Sequence, residues 1–335
     1  MKVKEWFRRL IAGLAIGTGA AIPGVSGAAI AVIFRVYEDI IGAVNNFRKK
    51  FGWAITVLIP ILIGVVIAVA ACIVLFHLAF KYLMFVLMCL FAGFLVGSFP
   101  GITDEVKGEK VDRKAIILIV IGAIFVIGLG VASVFSGLNV QGLFDEMPWW
   151  LYLVLIPVGA LAAVALTVPG LSGSLILLII GFYRPLVDTT VKWIKEIFGV
   201  GGYQSMDHIL PLIGVLGCFA IGCLIGVVLV SKIMNVLLSK FRKQTFFTII
   251  GFIGGSIFVL FFNHEIFDYY RVWSDPALGE LYSINQIMPM YIEIIIGVLV
   301  ALTAGFLSYQ LVRAQRKHAL ENKEESEQNE ELPKE

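Results

Sequence analysis

The chain has 335 residues, of which 59% are hydrophobic and only 15% are charged, and its formal net charge is +2. A soluble globular domain carries about 25% charged residues, so this composition excludes an ordinary soluble protein. The basic residues stand in short clusters at the ends of apolar runs, a distribution that gives no sign of nucleic-acid binding.

Eight apolar runs follow one another along the chain, and each is long enough to enter or cross a membrane as a helix. Two of them, 10–46 and 150–187, are longer than the rest and are broken near the middle by a Pro-Gly pair. After the last run, residues 313–335 are polar and rich in glutamate, which predicts a disordered cytosolic tail. The other six runs, predicted to be transmembrane helices, are 53–76, 83–101, 115–135, 209–231, 246–262 and 289–312.

Each broken run is predicted to be a re-entrant hairpin. A continuous span needs about 20 residues, and two spans with a turn need more residues than either run has. The leg from Leu10 to Ile22 would reach only ~20 Å as a helix. The chain would therefore enter the membrane, turn near its middle and leave on the same side.

The two halves of the chain resemble each other, which predicts an internal repeat of residues 1–135 and 150–312. LIPILIGV (58–65) has a counterpart in ILPLIGV (209–215), and GFLVGS (93–98) has one in GFIGGS (251–256). The matches occur in the same order in both halves. At an offset of 146 residues the identical pairs are Gly13/Gly159, Pro23/Pro169, Gly24/Gly170, Ser26/Ser172, Gly27/Gly173, Ile30/Ile176 and Tyr37/Tyr183.

The distribution of lysine and arginine predicts the topology. With two hairpins and six spans, most basic clusters fall on the side of the N-terminus, which is then cytosolic, as is the C-terminus. A hairpin with three spans makes an odd number of crossings, so the second half starts from the opposite face. The predicted fold class is an all-α polytopic membrane protein with two inverted-topology repeats.

The repeated motif PG-x-SG predicts an anion site near the middle of the membrane. Pro23 and Pro169 break the hairpins, and Ser26 and Ser172 stand where a helix N-cap belongs. A helix N-terminus carries unpaired N–H groups and a partial positive charge, so two of them favour a phosphate. The residues expected to bind it are Gly24, Val25, Ser26, Gly27, Gly170, Leu171, Ser172, Gly173 and Ser174.

Charged and aromatic residues follow each motif. Tyr37 and Tyr183 each lie 11 residues beyond the motif serine, on the same helical face as that serine. Arg35, Glu38 and Arg184 stand close to these tyrosines. One interpretation is that they anchor the helices at the membrane interface. The other is that they guide or gate an anionic headgroup on its way to the hairpin tips.

An enzyme is the less favoured interpretation. G-x-S-G, at 24–27 and 170–173, resembles the serine motif of rhomboid intramembrane proteases, but a nucleophilic serine needs a histidine within hydrogen-bond distance. The four histidines stand at segment ends or in the tail, and the cysteines have no metal-ligand spacing. We therefore predict no catalytic residue, no metal and no cofactor. A transporter or channel for a small soluble anion remains the main alternative.

The sequences IPGVSG (22–27) and VPGLSGS (168–174), each followed by a tyrosine, resemble those of the bacterial polyprenyl-phosphate transporters. The resemblance covers residues 5–312. The chain departs from the family pattern at Ala20, Ala21 and Arg184, where acidic residues are common, and it has PGVSGAA in place of PGVSGGT.

The resemblance implies a flippase of the bacterial cytoplasmic membrane. Its substrate would be undecaprenyl phosphate or a related polyprenyl phosphate, moved from the outer to the inner leaflet so that the carrier can be reused in cell-envelope synthesis. Its partners would be this lipid and the bilayer. Separately from the resemblance, moving an anion inward against the membrane potential favours coupling to a proton or sodium ion, and no residue of the sequence identifies which. The resemblance gives no oligomeric state.

Overall fold

The computed structural model describes residues 3–22, 25, 27–46, 49–135, 140–167, 177, 180–197, 206–262, 264–275 and 288–331. Within these residues the chain forms α-helices, turns and one short 3-10 turn, Asp104–Val106, and it contains no strand. The helices are α1 (Val3–Ala21), α2 (Gly27–Ile33), α3 (Tyr37–Asn45), α4 (Phe51–Tyr82), α5 (Met84–Thr103), α6 (Arg113–Phe135), α7 (Val140–Glu146), α8 (Trp149–Thr167), α9 (Tyr183–Ile197), α10 (Met206–Lys240), α11 (Arg242–Val259), α12 (His264–Ser274) and α13 (Met290–Glu331).

Five helices in the described part of the chain are long and apolar enough to cross a membrane. Their outer faces carry large exposed side chains such as Leu62, Leu75 and Leu224, which are 61%, 61% and 70% exposed. Such a surface is stable against lipid and not against water. The prediction of an all-α polytopic membrane protein is confirmed. The five segments are Phe51–Tyr82, Met84–Val106, Arg113–Ala132, Ile209–Leu229 and Met290–Lys317.

Two predicted segments differ from the observed helices. The run 246–262 falls on α11, which begins with the polar residues Arg242 and Lys243 and is not among the five. The region 313–335, predicted to be a disordered tail, continues α13 as helix to Glu331. Its alanine, leucine, glutamate, glutamine and lysine residues have high helix propensity, which explains the continuation. The predicted boundaries between the repeats stay predictions.

Glycines allow α1 and α4 to approach until their backbones touch. A Cβ atom on Gly13 would overlap the carbonyl oxygen of Ile61, and one on Gly64 would overlap that of Leu10. One turn further on, a Cβ atom on Gly17 would lie 2.7 Å from the carbonyl oxygen of Val65. Because both residue numbers rise together along the contact, the two helices are parallel. Small residues four apart are the usual means of close packing in membranes.

Three more helix pairs pack in the same way. Gly159 and Gly222 bring α8 to α10, Gly93 brings α5 to the backbone of α13 at Ala301, and Gly251 brings α11 to α6 at Ile119. All three pairs are parallel, like α1 and α4. The paired elements correspond in the two halves, because α1 with α4 matches α8 with α10, and α5 with α13 matches α11 with α6.

The first and second helix pairs run in opposite directions. His77, near the end of α4, contacts Asp188 on α9, and Gln141 on α7 contacts the same carboxylate. A cavity of about 250 Å³ beside them is lined by Asp145 and Lys192 and by Pro211 at the start of α10. The end of α4 and the start of α10 therefore lie at the same end of the molecule.

The opposite end of the molecule is held by ion pairs between helix ends. The turn that follows α5 supplies three carboxylates, and α11 and α13 supply three basic side chains. Lys243 lies 3.3 Å from Glu109. The other two pairs are Arg242–Glu105 and Arg316–Asp104. These ion pairs place the end of α5 at the same end of the molecule as the start of α11 and the middle of α13.

The closeness of α6 and α11 predicts a sharp difference between two neighbouring glycines. Gly251→Ala should destabilise the protein by about 1–3 kcal/mol, because the methyl group must push the two backbones apart. Gly254→Ala, three residues away on the same helix, is the matched control, because a Cβ atom there meets nothing within 4 Å. Thermal unfolding in detergent measures both, and equal unfolding temperatures would contradict this account of the packing.

Candidate functional site

The first motif lies at the turn between α1 and α2. Val25 donates its N–H to the carbonyl oxygen of Ile22 at 3.3 Å, and α2 begins at Gly27. A Cβ atom on Gly27 would lie 3.1 Å from the carbonyl oxygen of Ile16, so the start of α2 packs against α1. Pro23, Gly24 and Ser26, which were predicted to break the hairpin and bind the anion, lie outside the described residues.

Helix α1 ends far from the end of α4. Gly17 of α1 contacts Val65 and Ala68 of α4. Because the helices are parallel and α1 ends four residues later, its end lies beside about Val69 of α4. Helix α4 continues from there for about 13 residues, or ~20 Å. In the second half, α8 ends in the same way about 10 residues, or ~15 Å, before the end of α10.

The whole of the second motif lies outside the described residues. This applies to Pro169, Gly170, Leu171, Ser172, Gly173 and Ser174. The structure describes the residues on either side, namely α8 up to Thr167, the buried Leu177, and the chain from Ile180 onward. The predicted anion site formed by both motifs therefore stays a prediction.

The same turn follows both hairpins. The N–H of Val36 donates to the carbonyl oxygen of Ala31 at 3.0 Å, and that of Phe182 donates to Leu177 at 2.9 Å. These bonds match at the offset of 146 residues. The residue before each donor has positive φ, +53° at Arg35 and +77° at Gly181. This is the usual end of a helix in a left-handed residue, normally a glycine.

The charged residues after the first hairpin lie at the surface. Arg35, Tyr37 and Glu38 are exposed. Asp39, one residue further, pairs with Arg9 of α1 at 3.3 Å. Arg9 also donates to the backbone carbonyl of Thr56 at 3.5 Å, which ties the starts of α1, α3 and α4 together.

Tyr183, the counterpart of Tyr37, is buried. Its ring packs edge-on against Phe80 with centroids 5.7 Å apart and lies tilted against Phe76 at 6.4 Å. Both phenylalanines belong to α4, so the start of α9 is held against the first half of the chain. Burial raises the pKa of the Tyr183 phenol well above its ordinary value, and the side chain stays neutral.

Arg184 belongs to a polar cluster that joins α4, α7 and α9. Asp188, one turn along α9, has a carboxylate oxygen 3.9 Å from Nε of Arg184. The other carboxylate oxygen is 2.7 Å from Nδ1 of His77, and Gln141 donates to the carboxylate at 3.4 Å. The side chains of Arg184 and Asp188 are only 13% and 15% exposed. We call these four residues the Asp188 cluster.

The Asp188 cluster combines what an anion site needs with a means of releasing the anion. Arg184 can bind a phosphate through two parallel N–H groups, as guanidinium groups commonly do. When no anion is bound, Asp188 balances its charge, and His77 and Gln141 keep the carboxylate in place. A phosphate that binds Arg184 would compete with the Asp188 carboxylate for the guanidinium group, and His77 and Gln141 would remain as partners of the carboxylate.

Sequence reasoning identified Arg184 but missed its partners. The spacing of Arg184 and Asp188, four residues apart on a helix, was the available signal. His77 is 111 residues from Asp188, and no local pattern indicates that contact. Among the described residues, no group of three or more histidine, cysteine, aspartate or glutamate side chains could hold a metal ion.

Comparisons with known proteins agree with this picture of the chain. A family model described as undecaprenyl phosphate translocase-like matches residues 16–273. A polyprenyl-phosphate transporter of Staphylococcus aureus is 28% identical over 264 residues, covering 78% of this chain and 88% of that protein. One of Vibrio cholerae is 25% identical over 270 residues, covering 76% and 78%. No solved structure matches the chain significantly.

The family match includes both PG-x-SG motifs, the turns at Arg35 and Gly181, and the Asp188 cluster. The names of the family and of both relatives are those of transporters and not of enzymes. The chain belongs to the undecaprenyl phosphate translocase-like family.

Proposed function

We propose that this protein is a flippase which moves undecaprenyl phosphate, or a related polyprenyl phosphate, from the outer to the inner leaflet of the bacterial cytoplasmic membrane. The main support for the proposal is the position of Arg184, which pairs with Asp188 just after the second predicted hairpin. The chain also belongs to a family described as undecaprenyl phosphate translocase-like. Both termini are cytosolic in this proposal, no cofactor takes part, and an ion gradient drives the movement.

The proposal includes two re-entrant hairpins in inverted repeats. Three observations support it: the shared turn at the 146-residue offset, the matching helix pairs and the opposite directions of those pairs. The ends of α1 and α8 also stop well short of the ends of their partner helices. In such an arrangement the two hairpins enter from opposite sides and meet near the middle of the membrane.

The substrate's two parts would meet different surfaces. The phosphate would pass from Arg184 to the hairpin tips, where Gly24, Ser26, Gly27 and their counterparts offer backbone N–H groups. The prenyl chain would stay in lipid, alongside the exposed leucine, isoleucine and valine side chains of the membrane-spanning helices. Only the charged headgroup then needs a polar path.

Neutralising Arg184 should weaken transport in proteoliposomes loaded with undecaprenyl phosphate. A hydrogen bond to a charged group contributes about 1.5–3 kcal/mol, so Arg184→Gln should lower the initial rate at limiting lipid by about 10-fold to 100-fold. Arg184→Lys should lose less, because the charge remains. Lys195→Gln, at an exposed position of the same helix, is the matched control and should transport normally.

Two results would contradict the proposed function. One is a wild-type protein that leaves the transbilayer distribution of the lipid unchanged. The other is rapid uptake of free phosphate or chloride into the same vesicles without lipid movement, which would indicate a transporter of small soluble anions.

Variants at position 35 can remove the positive charge of the side chain without changing the stability of the fold. Arg35→Gly retains the turn, because glycine adopts positive φ without strain, and Gly181 occupies the corresponding position in the second half. The free energy of unfolding should therefore change by less than about 1 kcal/mol. If Arg35 guides the headgroup, transport should fall several-fold in this variant and be retained in Arg35→Lys. Normal transport by Arg35→Gly would show that the side chain serves only as an anchor.

The two motif serines should be equally important if both hairpins bind the headgroup. Ser26→Ala and Ser172→Ala should each slow transport by a similar factor, because each removes one hydroxyl from an equivalent position. The measurement is the same lipid assay, with thermal unfolding as the control for folding. Loss of function in only one variant would instead favour an intramembrane hydrolase with a single nucleophile.

A further inference from the structure

A carboxylate is buried near the start of the last membrane-spanning helix. Glu293, in the first turn of α13, is 1% exposed, although its neighbours Ile292, Ile294 and Ile295 face outward. Ionisable residues are rare in membrane-spanning segments because burying their charge is costly. No ion pair to Glu293 forms within the described residues. Its charge must therefore be stabilised by hydrogen bonds.

Two side chains donate hydrogen bonds to the Glu293 carboxylate. Tyr269 donates its hydroxyl to Oε1 at 2.7 Å, and Trp273 donates its indole N–H to Oε2 at 3.2 Å. Both residues belong to α12, a short helix that precedes α13. The backbone N–H groups of Phe85 and Val86, in the first turn of α5, lie near the carboxylate and interact with it electrostatically. One side chain thus joins α12, α13 and the start of α5.

This carboxylate completes the N-terminus of α5. The first N–H groups of a helix have no partner within the helix, and the residue before α5, Leu83, gives no side-chain cap. The N–H of Leu87 bonds to the carbonyl of Leu83 at 2.9 Å, and the N–H groups of Met84, Phe85 and Val86 are near Tyr269 and Glu293. With Glu293 ionised, the N-terminal end of the helix dipole stabilises the negative charge.

The same site can also accept a proton. Tyr269 has a second acceptor, because its hydroxyl lies 3.4 Å from the backbone carbonyl of Tyr82. If the carboxyl group is protonated, it can donate to Tyr269, which then donates to Tyr82. Burial and the neighbouring carboxylate raise the pKa of Tyr269 well above its ordinary value, so its hydroxyl keeps the proton that this exchange requires.

The remaining charged and titratable groups around the site are few. Cys89 on α5 is buried and interacts electrostatically with Glu293. On α12, Tyr270 packs against Trp273, and the partly buried Asp268 pairs with the exposed Arg271. At the end of α4, Lys81 lies over the ring of Tyr82. Of these groups, within the part of the chain that the structure describes, Glu293 is the one carboxyl group that is almost fully buried.

We propose that Glu293 is a proton-binding site, which fastens α12 and α13 to the start of α5 when it is ionised and loosens them when it is protonated. The physical reason is that hydrogen bonds to a carboxylate are about twice as strong as those to a neutral carboxyl group. Protonation also removes the attraction between the carboxylate and the N-terminus of α5.

The position of Glu293 links this switch to transport, a step that rests on the proposed function. Tyr82, which Tyr269 reaches, lies one and a half helical turns beyond His77 on α4, so the Asp188 cluster is at the same end of the molecule. A carrier must close one end before the other can open. The ionised carboxylate would close this end, and a proton would allow it to open.

Proton binding can be measured without transport. Infrared difference spectra of the purified protein between mildly acidic and alkaline pH should show the carbonyl band of a buried carboxylic acid. The band should disappear in Glu293→Gln and persist in Glu146→Gln, the matched control at an exposed position on α7. A spectrum that is unchanged in Glu293→Gln would overturn the proposal.

Transport assays then test how proton binding at Glu293 changes the rate of lipid movement. The wild-type rate in undecaprenyl-phosphate proteoliposomes should fall at least tenfold as the pH is lowered through the titration seen in the infrared. Glu293→Gln, which resembles the protonated form, should be slow and independent of pH, with an unfolding temperature close to that of the wild type. Glu293→Asp keeps an ionisable group and should restore a pH-dependent rate with a shifted midpoint.

The outcomes separate this inference from the proposed function. If Glu293→Gln follows the wild-type pH profile, the switch is wrong and the flippase remains. If Glu293→Gln and Glu293→Asp are equally slow at every pH, Glu293 is only a helix cap. If no variant moves the lipid but the infrared band titrates, proton binding holds and the proposed function fails.

Discussion

The close approach of helix backbones at glycines is the constraint on which the rest of the structure depends. In a bilayer, apolar side chains gain little by leaving lipid for protein, so helices associate through tight packing of small residues. Gly13, Gly93, Gly159 and Gly251 each supply such a contact in one helix pair. Since the four pairs are parallel, each contact also fixes the depth of one helix against its partner. The short helices α1 and α8 are held in this way with their ends well inside the length of α4 and α10.

Polar groups inside this framework are placed where each has a partner. Asp188 receives hydrogen bonds from α4 and α7, and Glu293 receives them from α12 beside the start of α5. In both places a carboxylate from one part of the chain joins elements that are distant in sequence. Such contacts are strong in a medium of low polarity, because a polar group that lost its partner there would not find water instead.

Much of the fold could be predicted from the sequence, because the features that determine it are local. Long apolar runs predict spanning helices, and the 146-residue offset predicts that the two halves correspond. The prediction that Tyr37 lies on the same helical face as Ser26 is wrong, because α2 ends at Ile33, the chain turns at Arg35 and a new helix begins at Tyr37. The candidate site could be predicted only in part. Asp188 meets His77, and Glu293 meets Tyr269, only after helices from different parts of the chain have packed. A single glutamate in an apolar run therefore gave no indication of its partners.

The two halves share their backbone packing and differ in their polar residues, and this difference has a physical consequence. Tyr37 is exposed where Tyr183 is buried, and Glu38 occupies the position that corresponds to Arg184. Identical inverted halves would give the states open to either side the same free energy, so both would be equally populated. Different polar residues at the two ends remove that equality. They do not by themselves drive net movement, which requires that an ion bind more tightly in one state than in the other. A buried carboxyl group that can take up a proton at only one end is a group of the required kind.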